Sequence, residues 1–335
     1  MMAGEVQSET RVYVRALIDL ARERPDVVCL IGDLAKSTEV EGFQEVFPER
    51  FFNLGMTEQN IMGIAGGMAR SGELPFVHTF GVFATRRPYD QIGMSIAYPR
   101  LNVKIVGFLP GLTTPGGVTH QAIDDLALMR ALPNMTVLDP ADAVELRQAV
   151  RVMAEHRGPV YCRAQRGNLP VLFDERTHRL GVGRAIWVRE GSDATIVSAG
   201  VMTHEALMAS DDLAREGLHV GVLHSPSIKP LDVATVVEAA RMTGVIVTAE
   251  NHSIVGGLGS AVAEALAENR LGVAFARVGV RDTYAEGGSP NYLFEKYGLS
   301  ARHIAVTVRG LCRAAPAAET AARPIETRRS GAKGV

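Results

Sequence analysis

The feature that most constrains this chain is a rhythm: short runs that are apolar on both faces, each followed by a segment with helical spacing. Val27–Ile31 (VVCLI) shows no polar alternation, which suits a strand covered by helices on both sides, as in a parallel sheet. Before it, Val12, Tyr13, Ala16, Leu17, Leu20 and Ala21 recur at helical spacing until Pro25 stops the helix. After it, strands are predicted over 51–54, 74–78, 103–108, 135–138 and 159–163, alternating with helices near 58–70, 88–97, 121–131 and 141–155. Strand–helix alternation with short turns predicts a doubly wound parallel α/β sheet. Residues 173–192 break the rhythm with charges and glycines, and a second α/β unit follows. Its strands are predicted over 194–198, 220–224, 244–248 and 274–278, and its helices near 203–216, 232–242, 257–268 and 290–298. The expected organisation is two doubly wound α/β domains, over 1–175 and 190–312. Residues 313–335, rich in Ala, Pro, Thr and Arg without an apolar period, read as a disordered tail.

Composition narrows the classes of function. The 335 residues are enough for two cores. A net charge of −2 provides no basic field for nucleic acid. No segment reaches the length of a membrane span, and the start carries no apolar signal core. Cys29, Cys162 and Cys312 are far apart and lack metal-ligand spacing. They fit the reduced thiols of a cytoplasmic protein.

The stretch from 51 to 91 holds the chemistry. A strand-like FFNLG turns at Gly55 and enters a helix containing Gly63, Gly66 and Gly67. Each of these glycines costs roughly 1 kcal/mol against alanine, so something is expected to pack very closely on that helix. Glu58 lies at the helix start, on the crevice side of a parallel sheet. The next strand ends in Phe80, with Phe83 three residues on. A buried carboxylate beside an aromatic pair suits a flat heterocycle with a basic ring nitrogen, because desolvation raises the carboxyl pKa until a proton is shared with the ring. The competing reading is a capping glutamate with two core phenylalanines.

The runs FFNLGMTEQN and IMGIAGGM (51–68), TFGVFA (79–84), YDQI (89–92), SIAYP (95–99), GGVTHQ (116–121) and DLALMRALPNMTVLDPADAV (125–144) closely resemble the pyrimidine-binding half of transketolases. The likeness extends to about residue 312. It implies an enzyme that uses thiamine diphosphate, whose thiazolium C2 must lose a proton to become a nucleophile. On that resemblance, Glu58 hydrogen-bonds the aminopyrimidine, while Phe80 and Phe83 wall it. The family's usual third aromatic is replaced by Arg86, and Tyr89 is the candidate to cover the gap. His120 matches a histidine that contacts the sugar donor. Arg11, Ser37 and Arg163 match contacts at the substrate's phosphate end, with Arg166 competing for the role of Arg163. Asp33 matches an aspartate at the subunit interface. The run ENHSIVGGLGS (250–260) resembles the family's C-terminal domain; a glycine loop before a helix could bind an anion, but the preferred reading is structural.

Two departures shape the expected function. Sugar-phosphate transketolases read Gly-Glu-Asp-Gly before the Thr-His pair, whereas this chain has Thr113-Thr114-Pro115-Gly116-Gly117, with Phe108-Leu109-Pro110 upstream. A buried donor hydroxyl left without a partner costs about 1–3 kcal/mol, so the expectation moves from an ordinary pentose-phosphate donor to a specialised ketose or a two-carbon transfer within a biosynthetic pathway. In addition, no Gly-Asp-Gly occurs. The diphosphate and its Mg²⁺ are therefore expected on a partner subunit, in an α₂β₂ assembly, and no metal-ligating residue is assigned here. The implied role is the C-terminal-half subunit of a split transketolase, moving a two-carbon ketol unit from a ketose (phosphate) to an aldose-type acceptor. Kept beside it are a 2-oxo acid dehydrogenase beta-like subunit, a deoxyxylulose-phosphate synthase, ketol transfer to a carrier protein, and a non-catalytic regulatory paralogue.

Overall fold

The structure, a computed structural model, describes residues 8–314. Six parallel strands form the body of the first sheet: β1 (Val27–Ile31), β2 (Phe51–Asn53), β3 (Leu74–Phe80), β4 (Lys104–Phe108), β5 (Thr136–Leu138) and β6 (Val160–Ala164). The second half supplies β7 (Ile186–Arg189), β8 (Ala194–Ser198), β9 (Val220–His224), β10 (Ser227–Lys229), β11 (Val245–Ser253) and β12 (Ala274–Val280). The seven-stranded sheet has the order β10-β5-β6-β4-β3-β1-β2, and the five-stranded sheet β12-β11-β8-β9-β7. The predicted α/β class and both doubly wound sheets are present.

Burial explains the uniform strands. Every residue of β1, β3, β4 and β6 is buried, because helices lie on both faces. Helices Val12–Glu23 and Ala143–Glu155 cover one core, and Glu58–Arg70 with the turn Ile92–Ala97 cover the other. That second core continues into Val236, Ala240 and Val262 of the other half. A third lies beneath helices Met202–Arg215 and Ala301–Ala314.

Several elements lie outside the predicted set. Strand β10 comes from the second half yet pairs antiparallel with β5 of the first sheet; three residues carry no period, so only proximity creates it. Strand β7 pairs antiparallel with β9 at the edge of the second sheet. Helix Gly81–Thr85 is five residues long, too short to show a repeat. Helix Ala301–Ala314 buries Ile304, Ala305 and Val308 among charged neighbours and includes Arg313 and Ala314 of the expected tail. The rest of that tail lies outside the described residues.

The predicted close approach to helix Glu58–Arg70 is real at Gly66, where a Cβ would lie 2.5 Å from the Ser95 carbonyl oxygen. A Cβ on Gly63 or Gly67 would meet nothing within 4 Å.

Candidate active site

The residues of interest collect where β2, β3 and β4 end, at the C-terminal edge where α/β sheets hold ligands. Glu58 opens helix Glu58–Arg70, a site that favours negative charge. Its side chain is only 5% exposed. Among the described residues no backbone N–H caps onto it; its partner is Arg87, whose Nη1 donates to Oε1 at 2.7 Å. The simple capping reading of Glu58 therefore has no hydrogen bond behind it. Phe80 and Phe83 stack with ring centroids 5.9 Å apart at 27°, and His120 meets both edge-on, at 6.0 and 5.4 Å. Glu58, Arg87, Met56, Thr57, Gln59 and Asn60 border an open pocket of about 610 Å³.

Arg87 is the residue that sequence reasoning passed over. Its guanidinium carbon sits 4.0 Å from the centroid of Phe83, so one side chain covers the ring and holds Glu58. The signal was available: Arg87 is four residues beyond Phe83, which places both on one face of a helical turn. Neither neighbour takes the third aromatic's place. Arg86 forks onto Asp124 through Nε at 2.9 and 3.0 Å. The Tyr89 hydroxyl donates to the Leu128 carbonyl at 3.0 Å, and among the described residues Tyr89 makes no ring contact with Phe80 or Phe83. Tyr89 thus ties its own turn to helix Asp125–Ala131, and its expected cover of the pyrimidine has no ring contact with the aromatic pair behind it among the described residues.

The two candidate arginines separate cleanly. Arg163 is the last but one residue of β6 and is buried with every donor engaged. Its Nη2 and Nε bind Asp125 at 2.5 and 2.8 Å, Nη1 binds Asp139 at 3.1 Å, and the Ala122 and Asn251 carbonyls accept the remaining bonds. Burial alone would lower the guanidinium pKa, but Asp125 and Asp139 together raise it above its ordinary value. This geometry speaks against the phosphate contact expected at Arg163: the side chain is buried and its donors are already engaged. Arg166, exposed on the loop beyond, donates through Nη1 to the Ser37 carbonyl at 3.0 Å. Arg11 pairs with Glu41 at 3.0 Å. Asp33 stays exposed and exchanges hydrogen bonds with Asn53, joining the ends of β1 and β2.

The loop before His120 is self-satisfied. Thr113 donates to the Pro110 carbonyl at 2.7 Å, and the Thr114 hydroxyl accepts from the Gly116 N–H at 3.2 Å. Phe108, Leu109 and Leu112 are buried. Asn251, from the other half, clamps this loop by accepting from the Leu112 N–H at 2.9 Å and donating to the Pro110 carbonyl at 3.1 Å. The anion-binding option at 250–260 is closed by the chain itself. Glu250 accepts from the N–H groups of Leu258 and Gly259 at 2.7 and 2.9 Å, and burial pushes its carboxyl up to about 7. Among the described residues no cluster of His, Cys, Asp or Glu could hold a metal ion, and no helix is long and apolar enough to cross a membrane.

The architecture is a pyrimidine-binding α/β domain joined to a second α/β domain. Residues 8–171 match the family described as transketolase, pyrimidine binding domain, and residues 169–304 match transketolase, C-terminal domain. A putative uncharacterized transketolase family protein of Sinorhizobium fredii (strain NBRC 101917 / NGR234) is 46% identical over 299 residues, 89% of this chain and 87% of that protein. A 6-deoxy-6-sulfo-D-fructose transketolase subunit of Clostridium sp. (strain MSTE9) is 43% identical over 293 residues, 87% of this chain and 90% of the relative. A split-gene transketolase, solved as an inactive beta4 tetramer, superposes with a TM-score of 0.84 at 47% identity, covering 90% of this chain and 97% of its own. The chain belongs to the transketolase family.

Proposed function

We propose that this chain is the pyrimidine-binding half of a two-chain transketolase, transferring a two-carbon ketol unit from a ketose to an aldose-type acceptor. The observation that carries this reading is Glu58: a buried carboxylate at a helix start, beside the stacked Phe80 and Phe83 with His120 edge-on. These residues fit an aminopyrimidine. Thiamine diphosphate, when bound, supplies the carbon nucleophile that carries the two-carbon unit. Glu58 would hold a proton at the basic ring nitrogen, the two phenylalanines would fix the ring plane, and the half-buried His120 would hydrogen-bond the substrate. Arg166, Ser37 and Arg11 would receive an anionic end of the donor, Arg166 taking the role expected of Arg163. The self-satisfied loop at 113–117 supports a donor other than an ordinary pentose phosphate. The relative named for 6-deoxy-6-sulfo-D-fructose supports a ketose with its charge at the end far from the reacting carbon.

The diphosphate and Mg²⁺ would be held by a second subunit carrying Gly-Asp-Gly. The bare Gly63 and Gly67 surface supports docking of another helix, because only glycine lets backbones approach so closely. Buried free thiols at Cys29 and Cys162 suit a cytoplasmic setting. The test is co-expression with the Gly-Asp-Gly chain, then titration of thiamine diphosphate and Mg²⁺ into each subunit alone and into the pair. Tight, Mg²⁺-dependent binding to the pair only is the expected result. Tight binding to this chain alone would overturn the two-chain account, and no binding by any combination would favour a non-catalytic paralogue.

A further inference from the structure

Two groups in the site are asked to serve two ligands. Arg87 Nη1 donates to Glu58 Oε1 at 2.7 Å, while its guanidinium plane covers the Phe83 ring at 4.0 Å. A flat, nitrogen-bearing heterocycle bound as proposed above needs the same two contacts: a hydrogen bond to the Glu58 carboxylate and a π-face on Phe83. A guanidinium resembles such a ring in being planar, cationic at its edge and able to fork onto a carboxylate. The other side of the aromatic wall is already taken, since Phe80 stacks on Phe83 and His120 meets both rings edge-on. The guanidinium and the heterocycle therefore exclude each other.

We infer that Arg87 is a displaceable plug of the pyrimidine site, a side chain that imitates the ring and must swing away before the ring can seat. This inference rests on the cofactor reading above. The position of the residue allows the movement. The Arg87 side chain is half exposed, with no carboxylate partner besides Glu58 among the described residues, so it can turn into the open pocket it borders. It follows Phe83 by four residues, just beyond the short helix Gly81–Thr85 and immediately before Pro88, so the backbone need not move with it. Displacement also has a chemical result. While the guanidinium stays, it occupies Glu58 Oε1 and that oxygen is not offered to a ring nitrogen; once it leaves, the oxygen is open to accept a hydrogen bond from the ring.

A plug in place about nine-tenths of the time lowers apparent affinity about tenfold. The test measures thiamine diphosphate binding, in Mg²⁺, by the assembled pair of subunits carrying wild-type chain, Arg87→Met or Arg87→Lys. Methionine keeps the stem and removes fork and charge; lysine keeps charge without the flat fork. Arg87→Met should bind about tenfold more tightly and Arg87→Lys by an intermediate factor. The advantage of Arg87→Met should shrink as salt rises, because the half-exposed ion pair is screened. In a Glu58→Gln background Arg87→Met should gain much less, which a merely structural role for Arg87 would not produce. Wild-type binding with equal or weaker binding by Arg87→Met, and unchanged melting temperature, would overturn the plug while leaving the cofactor reading intact. No binding by the wild-type pair would overturn both together.

Discussion

Glu58 and Arg163 are both buried charges, and the partners of each decide what it can do. Among the described residues Glu58 has one side-chain partner, a half-exposed arginine that can leave. Arg163 has two buried carboxylates and two carbonyls that cannot. Glu58→Gln should leave the melting temperature and subunit association intact while lowering turnover by about 10²–10⁴; a variant with wild-type turnover would defeat the proposed role. Arg163→Met strands Asp125 in the interior and should cost about 3–5 kcal/mol of stability, read as a lowered urea midpoint. Arg166→Met should barely move that midpoint but raise KM for an anionic donor. Equal behaviour of the two variants would contradict a buried Arg163 and a substrate-facing Arg166. The sequence placed Glu58 at a helix start and Phe80 and Phe83 at a strand end because those are local matters of spacing. It left Arg163 and Arg166 unresolved because they are three residues apart in one run. Only the carboxylates of Asp125 and Asp139, 38 and 24 residues away, show which one is inside.

At the scale of elements, helix Glu58–Arg70 uses its glycines differently. Gly66 meets the Ser95 carbonyl within this chain, whereas Gly63 and Gly67 look outward. Exposed glycines weaken a helix by roughly 0.5–1 kcal/mol each against alanine without return in the isolated chain. Gly63→Leu should therefore fold at least as stably as wild type but lose association, seen by sedimentation velocity as a shift to smaller species. Undisturbed assembly would show that this face packs against nothing. The periodic elements were legible to within a few residues because a stretch of ten or more repeats its pattern several times. Helix Ala301–Ala314 was missed although Ile304 and Val308 mark its buried face, because charged residues between them hid the repeat.

At the scale of the molecule, the two halves share a core and a buried latch. Glu145, on helix Ala143–Glu155, pairs with His178 of the connecting segment at 2.9 Å and with His224 at the end of β9 at 2.8 Å. Burial pushes the Glu145 carboxyl up, but the His224 charge and the hydrogen bonds from His178, His224 and the Ala141 N–H outweigh it, holding it at about 2. A carboxylate whose folded pKa lies below its ordinary 4.5 adds stability that is complete above pH 4.5 and lost as pH falls toward 2. Acid should thus loosen the joint between the halves, followed by the fluorescence of the single tryptophan, Trp187, in β7. Glu145→Gln should start less stable at neutral pH and lose the step between 4.5 and 2; an unaltered acid limb would show that other carboxylates govern it.

The sequence by itself determined the α/β class, most strands and helices, and the words at the ends of β2 and β3. All of these depend on neighbours within a dozen residues, where backbone preference and burial period are written directly. The tertiary structure alone decided that β10 completes the first sheet, that Arg163 is a buried strut, and that Arg87 lies between Glu58 and Phe83. Those outcomes depend on which charges and edges meet across long stretches of chain, and the energy of such a meeting comes from desolvation and partner geometry, neither of which leaves a local pattern.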